Sequence, residues 1–272
     1  MTVVRLLQAE TPSLDETHVL GMAEMGFRGL SEQWLMRRAG DLHWRLLAEA
    51  LGQRDAVFSC ADGQPLYAAF LVSSLRVSAP DLPRLSGKFS LSARLWAIGR
   101  SRSGSEHVLR FDGRRVGVLR LISTFAGRQD ATSNRSMIRR MPAVMAALPD
   151  APSGLQRLAR HAAFAGRRFT DLPQEHRKTQ ALPCPATDFN AAGLLYFPSY
   201  AALLDRSDFA TGTPARAALT ARDVVYLGNV EPGEIVEAGF FDRRDGHLAR
   251  LRGADGRLLA LLRSRYRRED AP

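Results

Sequence analysis

Apolar residues in the first half of the chain change their spacing once, from a helical to an extended pattern. Between residues 29 and 52 they recur at every third or fourth position, the period of a helix with one buried face. Ser31 suits the N-cap of this helix, and Gly52 suits its C-terminal end. Gly40, inside the helix, costs roughly 1 kcal/mol relative to alanine. We therefore expect a close neighbour at Gly40, such as a sheet wrapped around the helix.

Beyond this helix, apolar and polar residues alternate, which is typical of strands. The segments with this pattern are residues 65–77, 88–98, 105–111 and 116–125. The last two are joined by Asp112 and Gly113, a dipeptide that hairpin turns strongly favour. The pattern predicts a largely antiparallel sheet.

The second half of the chain repeats this order. Its apolar spacing predicts a shorter helix from about residue 197 to residue 209, preceded by strand-like sequence. Pro198 is tolerated in a first helical turn, and Gly212 and Pro214 follow the last apolar position. Four further strands are predicted at residues 223–229, 234–242, 246–252 and 257–267, and their closing Asp-Gly-Arg turn at 255–257 matches the one at 112–114.

One helix followed by four strands, twice, indicates an internal duplication. A sheet that wraps one helix, in units joined sheet edge to sheet edge, is the hotdog architecture, so we predict an α+β double hotdog. The N-terminal hotdog is placed at residues 1–127, a crossover linker at 128–160 and the C-terminal hotdog at 161–272, with a short helix near residues 142–148. Such pairs typically hold thioesters of coenzyme A or pantetheine in a groove at the helix-bearing interface.

Charge narrows the choice of partners. The 272 residues have a formal net charge of +10, almost wholly from arginine. Arginine binds phosphate and carboxylate groups bidentately, which suits phosphate-bearing ligands and acidic carrier proteins. Arginines also cluster at 167–168 and 263–268, but neither zinc-ligand spacing nor an RNP-like aromatic strand accompanies them. We expect no nucleic-acid partner.

Two cysteines, Cys60 and Cys184, are isolated and match no metal motif, which indicates free thiols in a reducing compartment. Neither a signal peptide nor an apolar run long enough to span a bilayer is evident. We expect a cytoplasmic protein with no membrane partner and no metal.

Residues 188–200, DFNAAGLLYFPSY, combine turn formers with the start of the second helix. Asp188 and Asn190 favour turns and helix starts. Backbone N–H groups around Gly193 and Leu194 would lie near a helix N-terminus, where they could receive a carbonyl oxygen. On these residues alone, a capped core helix is the more frequent explanation.

The chain resembles the LnmK-type bifunctional acyltransferase/decarboxylases of polyketide biosynthesis. The resemblance covers nearly the whole chain, through residues 40–44, 65–70, 188–200 and 226–229. It implies a double hotdog that takes a methylmalonyl thioester from coenzyme A, decarboxylates it and loads the propionyl group onto an acyl carrier protein. The essential tyrosine of that family matches Tyr67. The resemblance implies no cofactor beyond the coenzyme A thioester, as substrate, and the phosphopantetheine of the carrier; a homodimer is left open.

Decarboxylation of a malonyl-type thioester places negative charge on the thioester oxygen, which needs hydrogen-bond donors. We predict that Tyr67, Asn190 and Gly193 are catalytic. The predicted substrate-binding residues are Asp188, Leu194, Tyr226 and Asn229. Because an unperturbed tyrosine has a pKa near about 10, Tyr67 is a poor nucleophile without help and is better suited to orient the substrate carboxylate.

Packing is the competing explanation for several of these residues. An aromatic on a strand, such as Tyr67, usually packs in the core, and Asn229 is equally suited to a turn. We assign Tyr196 and Tyr200 to packing, and His43 to packing rather than to a base.

Two other functions stay open. The first is thioester hydrolysis, with Asp188 or Asp205 positioning water as general base. The second is a non-catalytic module that binds acyl carrier proteins through its basic face. The choice between malonyl and methylmalonyl groups is also open, because one methyl group changes binding by only about 1–3 kcal/mol.

Overall fold

A computed structural model of the protein describes residues 10–144, 147–168, 174–212 and 218–267. The first half contributes the strands β1 (Ser13–Val19), β2 (Met25–Gly26), β3 (Gly29–Leu30), β4 (Phe58–Ser59), β5 (Pro65–Val77), β6 (Lys88–Ile98), β7 (Arg102–Phe111), β8 (Arg114–Arg128) and β9 (Met137–Arg139). The second half contributes β10 (Arg177–Ala181), β11 (Leu219–Tyr226), β12 (Val236–Arg243), β13 (Gly246–Gly253) and β14 (Leu258–Tyr266). The α-helices are α1 (Glu32–Ala50), α2 (Ser153–Arg168), α3 (Pro185–Asp188) and α4 (Ser199–Ala210).

Both halves share one antiparallel sheet. Its order is β1-β6-β7-β8-β5-β11-β14-β13-β12-β10, so its first-half strands lie on one side and its second-half strands on the other, while β2 and β3 form a separate two-stranded sheet. The halves join where β5 pairs with β11, with Val72 opposite Val225 and Ser74 opposite Asp223. The predicted edge-to-edge union of two units is confirmed, and each unit adds one edge strand, β1 or β10, to the four strands predicted after its helix.

Helix α1 is the central helix of the first half. Its buried face, which includes Leu35, Leu42 and Leu46, packs into the larger apolar core, against the first-half strands of the sheet. Ser31 is its N-cap, as predicted, because the Trp34 N–H donates to the Ser31 hydroxyl oxygen at 3.3 Å. The described helices include none long and apolar enough to cross a membrane.

Helix α4 takes the same place in the second half, where Leu203 and Leu204 are buried among residues of β11 to β14. It begins two residues after the predicted start, with Pro198 at the N-cap position. It ends at Ala210, after which Gly212 adopts φ +80. Pro214 lies outside the described residues.

The helix predicted near residues 142–148 is wrong for the part of that segment that the structure describes, because residues 142–144 and 147–148 are not helical. Leu148 precedes Pro149, and a residue before proline disfavours the helical conformation. The helix begins after Pro152 instead, as α2, and spans the predicted boundary at 160/161. Leu155 and Ala159 pack on the opposite face of the sheet from α1, against Ile122.

Gly40 lies where α1 meets the other half of the chain. A Cβ at this position would come within 2.8 Å of the Phe197 ring and 3.7 Å of the Phe70 ring. The expected close neighbour is therefore present, but it is an aromatic ring from the segment before α4 as well as a side chain of the sheet. Phe197 in turn packs on Phe70, with ring centroids 4.3 Å apart.

We predict that Gly40→Ala destabilises the protein by about 1–3 kcal/mol, because the packed Phe197 ring must move. At an exposed helical site the same change stabilises by roughly 1 kcal/mol. Urea unfolding measures the difference, and Gly40→Ala combined with Phe197→Leu should recover part of the loss. A stabilising effect of Gly40→Ala alone would show that the ring does not confine this position.

Candidate functional site

A cavity of about 910 Å3 lies between the two halves. It is bounded by the start of β5, the strand β9, the segment leading to α4 and the residues that follow β11. We call this cavity the first groove. Its floor is aromatic, and Trp44, Phe70, Tyr196 and Phe197 contribute rings from both halves. The floor suits an apolar ligand group.

Five of the predicted site residues line the first groove together. They are Tyr67, Asn190, Leu194, Tyr226 and Asn229. Gly193 and Asp188 are not among the residues that line it. Five of the seven predicted site residues thus lie in one cavity, although the side chains of several of them bond to the nearby backbone.

Tyr67 is held by Arg128. The Arg128 Nη1 donates to the Tyr67 hydroxyl oxygen at 3.2 Å, and the guanidinium carbon lies 5.6 Å from the centre of the tyrosine ring. The contact follows from register, because Tyr67 on β5 pairs with Ala126 on β8 and Arg128 lies two residues further along the same face. Arg128 was not among the predicted site residues, because the sequence of one strand does not show which residue of the other strand it pairs with.

Asn134 connects Arg128 to the segment before α4. Its Oδ1 accepts from the Arg128 Nη2 at 2.7 Å, and its Nδ2 donates to the Gly193 carbonyl at 2.6 Å and to the Val230 carbonyl at 3.0 Å. The Arg128 Nη2 also donates to the Ala192 carbonyl at 2.6 Å. Asn134 is buried within the predicted linker, and it ties that linker to both halves of the groove.

The backbone N–H groups before α4 bond within their own segment. Asn190 Oδ1 accepts from the N–H groups of Ala192 and Leu194 at 3.0 and 3.1 Å, and the Gly193 N–H donates to the Asn190 carbonyl at 2.9 Å. Gly193 has φ +71, which this tight turn requires. The Gly193 and Leu194 amides, which we predicted to receive a ligand oxygen, are thus already bonded within a turn that precedes α4, so a ligand oxygen would have to share or replace these bonds.

Asn229 and Tyr226 also hold the groove together. Asn229 Oδ1 accepts from the Leu195 N–H at 2.9 Å and from the Val230 N–H at 3.0 Å. The Tyr226 hydroxyl is within 2.9 Å of the Ser73 hydroxyl, across the junction of β11 and β5, and burial raises the pKa of Tyr226. Tyr200, assigned to packing, donates its hydroxyl to the Gly228 carbonyl at 2.6 Å.

Neither aspartate considered as a general base lines the first groove. Asp188 is buried, accepts from the Cys184 N–H at 2.9 Å and pairs with Arg206 at 2.9 Å. Asp205 instead pairs with Arg222 outside this cavity. Among the described lining residues there is no aspartate, glutamate, histidine or cysteine, whereas Arg37, Arg135 and Arg139 are present.

The described residues contain no group of three side chains suited to hold a metal ion.

His43 is fully buried, with its two ring nitrogens 2.7 Å from the hydroxyls of Ser105 and Ser123. Burial, reinforced by His107, lowers the pKa of His43 to about 3, so the ring is neutral. His43 is a core residue and does not line the groove.

A second, smaller cavity of about 410 Å3 lies at the start of α1. We call it the second groove. Arg222 on β11 pairs with Ser264 on β14, and Tyr266 lies two residues further along. The Arg222 Nη2 donates to the Tyr266 hydroxyl oxygen at 3.1 Å. The two halves thus carry the same diagonal contact, with arginine and tyrosine exchanged between the strands.

The two Arg–Tyr contacts differ in charge. Arg222 is 2% exposed and lies 2.9 Å from Glu32 and 2.7 Å from Asp205. Burial raises the pKa of Glu32 to about 7, with Arg222 acting against this shift and Asp205 adding to it. Arg128, by contrast, has no carboxylate within ion-pair distance among the described residues, and the oxygens to which it donates are all neutral.

The protein is similar to known proteins in structure but matches none in sequence. No family model and no curated protein matches the sequence. An acyl-ACP thioesterase from Bacteroides thetaiotaomicron has a similar structure (TM-score 0.65, 12% identity, 94% of this chain and 98% of that one). So do the 12:0-ACP thioesterase from Umbellularia californica (0.65, 12%, 94% and 97%) and a protein described as an oleoyl thioesterase from Lactobacillus plantarum (0.67, 14%, 98% and 99%).

These likenesses extend over the whole chain and confirm the α+β double hotdog fold. At this level of identity they show the fold alone. Nothing in them supports the LnmK-type family in particular, so that resemblance stays a prediction.

We predict that Asn190→Asp keeps the acceptor oxygen for the Ala192 and Leu194 amides and preserves stability, whereas Asn190→Ala loses about 1–2 kcal/mol. Thermal unfolding measures both variants. Activity then separates the two roles of Asn190. If its amide contacts the substrate, Asn190→Asp loses activity at normal stability, and if it acts only as a turn residue, Asn190→Asp stays active.

Proposed function

We propose that this protein removes acyl groups from thioesters of coenzyme A or of an acyl carrier protein, and that the first groove binds the acyl thioester. The observation that carries the proposal is the 910 Å3 cavity between the halves, which has an aromatic floor, arginines among its lining residues and the Tyr67–Arg128 contact beside it. Structural neighbours described as thioesterases of acyl carrier proteins support the same substrate class.

Each part of the first groove suits a part of such a substrate. Trp44, Phe70 and Phe197 offer apolar surface for an acyl chain. Arg37 is an exposed lining residue, and arginine bonds well to the phosphate groups of coenzyme A or phosphopantetheine. The basic surface would also attract an acidic carrier protein, with an association that weakens as salt rises.

Thioester cleavage places negative charge on the carbonyl oxygen as the acceptor attacks. The amides before α4 do not face that oxygen, because they are bonded within their own turn. The Tyr67 hydroxyl accepts from Arg128 and has no other hydrogen-bond partner among the described residues. Its own hydrogen is therefore available to a ligand oxygen, and we assign Tyr67 the role of hydrogen-bond donor.

We predict that the protein releases coenzyme A from straight-chain acyl-CoA esters, with kcat/KM rising about fourfold for each added methylene that the groove buries. Release of the free thiol, followed with a thiol reagent, gives the rates. Ala69→Trp, which fills the groove, should abolish the preference for longer chains. Ala163→Trp is the matched control, because Ala163 is exposed on α2, outside the groove.

No thiol release from any chain length, with or without a carrier protein as acceptor, would contradict thioester cleavage. If Ala69→Trp and wild type share the same chain-length profile, cleavage takes place elsewhere than in the first groove.

A second candidate reaction is decarboxylating acyl transfer from a malonyl-type or methylmalonyl-type coenzyme A ester to an acyl carrier protein. One observation favours it, namely that the described lining of the first groove has no carboxylate, imidazole or thiol to activate water. Loss of carbon dioxide needs no general base, because the electrons of the breaking C–C bond enter the thioester. The enolate oxygen that results needs a donor, a role that we assign to Tyr67. The enolate carbon then takes the proton of the carrier thiol, and the carrier thiolate attacks the acyl carbonyl and displaces the coenzyme A thiolate.

For this reaction we predict that Tyr67→Phe lowers kcat by about a hundredfold, the loss of one donor to a developing oxyanion. Mass measurement of the carrier after incubation with methylmalonyl-CoA identifies the acyl group. Tyr266→Phe is the matched control, since it removes a hydroxyl held by Arg222 in the second groove. An intact methylmalonyl group on the carrier would rule out decarboxylation, and carrier binding without any reaction would favour a non-catalytic module.

A further inference from the structure

Arg128 is a cation without a counter-ion among the described residues. It donates hydrogen bonds to the Tyr67 hydroxyl, the Asn134 side-chain carbonyl and the Ala192 backbone carbonyl, and none of these oxygens carries a charge. No carboxylate among the described residues lies within ion-pair distance of Arg128. A half-buried guanidinium held in one orientation by neutral groups keeps its full charge for whatever enters the adjacent cavity.

The second half of the chain contains an equivalent arginine–tyrosine contact in which the charge of the arginine is neutralised. Arg222 bonds to the Tyr266 hydroxyl in the same diagonal position, but Glu32 and Asp205 both pair with it. The two contacts share strand register and bonding distance and differ in their counter-ions. The missing carboxylate at Arg128 is therefore a local property of the first groove and not a requirement of the fold.

We propose that Tyr67 and Arg128 form an anion site in the first groove, in which the Tyr67 hydroxyl donates to a negatively charged acyl oxygen and Arg128 acts through Tyr67. The ligand class is an acyl compound with a carboxylate or a charged carbonyl oxygen at that end. This inference rests on the proposed function and deepens it, because it names the charge that the substrate carries or develops. Arg128 is a positioning residue, since Tyr67 and not Arg128 lines the cavity.

Three hydrogen bonds fix the orientation of the Arg128 guanidinium. Because Nη1 donates to the Tyr67 oxygen, the phenolic hydrogen must point away from Arg128. Because Nη2 is bound to Ala192 and Asn134, the guanidinium cannot turn towards another partner without breaking both bonds. Lysine at this position keeps the charge but lacks the planar fork that reaches all three oxygens.

Binding of octanoate and octan-1-ol tests the site without any need for catalysis. The two probes share an apolar chain and differ in the charge of the terminal oxygen. We expect wild-type protein to bind octanoate about tenfold tighter than octan-1-ol in calorimetric titrations, the advantage of a charge-assisted hydrogen bond. In Arg128→Gln and in Tyr67→Phe, octanoate should bind no tighter than octan-1-ol does to the same variant.

Arg139→Gln is the matched control for charge. Arg139 lines the same cavity and has no carboxylate partner in the described part of the chain, so its replacement removes one positive charge from the groove and none of the hydrogen bonds of Tyr67. The octanoate preference should persist in Arg139→Gln. If Arg139→Gln abolishes it as fully as Arg128→Gln, the preference comes from the general positive field, and the anion site is overturned.

A double-mutant cycle separates action through Tyr67 from support of the fold. If Arg128 acts through Tyr67, the combined Tyr67→Phe and Arg128→Gln variant should be no worse than either single variant in octanoate affinity. Arg128→Lys should restore part of the preference. Additive losses, or equal binding of both probes by wild type, would overturn the proposal. If the wild type cleaves thioesters but does not prefer octanoate, the anion site is wrong and the proposed function remains. If the wild type prefers octanoate but cleaves no thioester, the proposed function is wrong and the anion site remains.

Discussion

The close approach of the Phe197 ring to the backbone of Gly40 determines how the two halves of the molecule meet. A side chain at position 40 would come within 2.8 Å of the ring, so only glycine lets α1 and the segment before α4 lie this close. Phe197 then reaches Phe70 on β5, and the two rings become part of the floor of the first groove. The shape of the cavity therefore depends on Gly40, where even the methyl group of alanine would meet the Phe197 ring. The lower helix propensity of glycine at this position is offset by the packing of Phe197 between the halves.

Periodicity predicted the elements that depend on local burial. Helices α1 and α4 and the eight central strands follow from apolar spacing, because each has one face in a core. Strand β1 was missed because it is an edge strand whose polar residues alternate between exposed and half-buried positions. The α2 helix was missed because only a narrow face of it, around Leu155 and Ala159, is buried on the sheet.

The site could be predicted only where its residues lie in recognisable segments. Residues such as Tyr67 and Asn190 stand out in sequence and do line the groove. Arg128 and Asn134 do not stand out, because their importance comes from the register of β5 with β8 and from a loop that crosses to Val230. Asp188 was predicted to bind substrate because it is a polar residue in a recognisable segment. In the structure it lies outside the groove lining, and its carboxylate bonds to Arg206 and to a backbone amide.

The turn before α4 shows why we assign the proposed chemistry to one side chain. Glycine and asparagine there were attractive as donors to a ligand, but Asn190 and Asn229 accept from the amides of Ala192, Leu194 and Leu195 themselves. The donors of this turn are therefore used within the protein. The Tyr67 hydroxyl is then a donor that remains available, and Arg128 bonds both to it and to the Ala192 carbonyl of that same turn. The asparagines that remove one set of donors from the groove thus fix the surface against which the Tyr67–Arg128 contact is held.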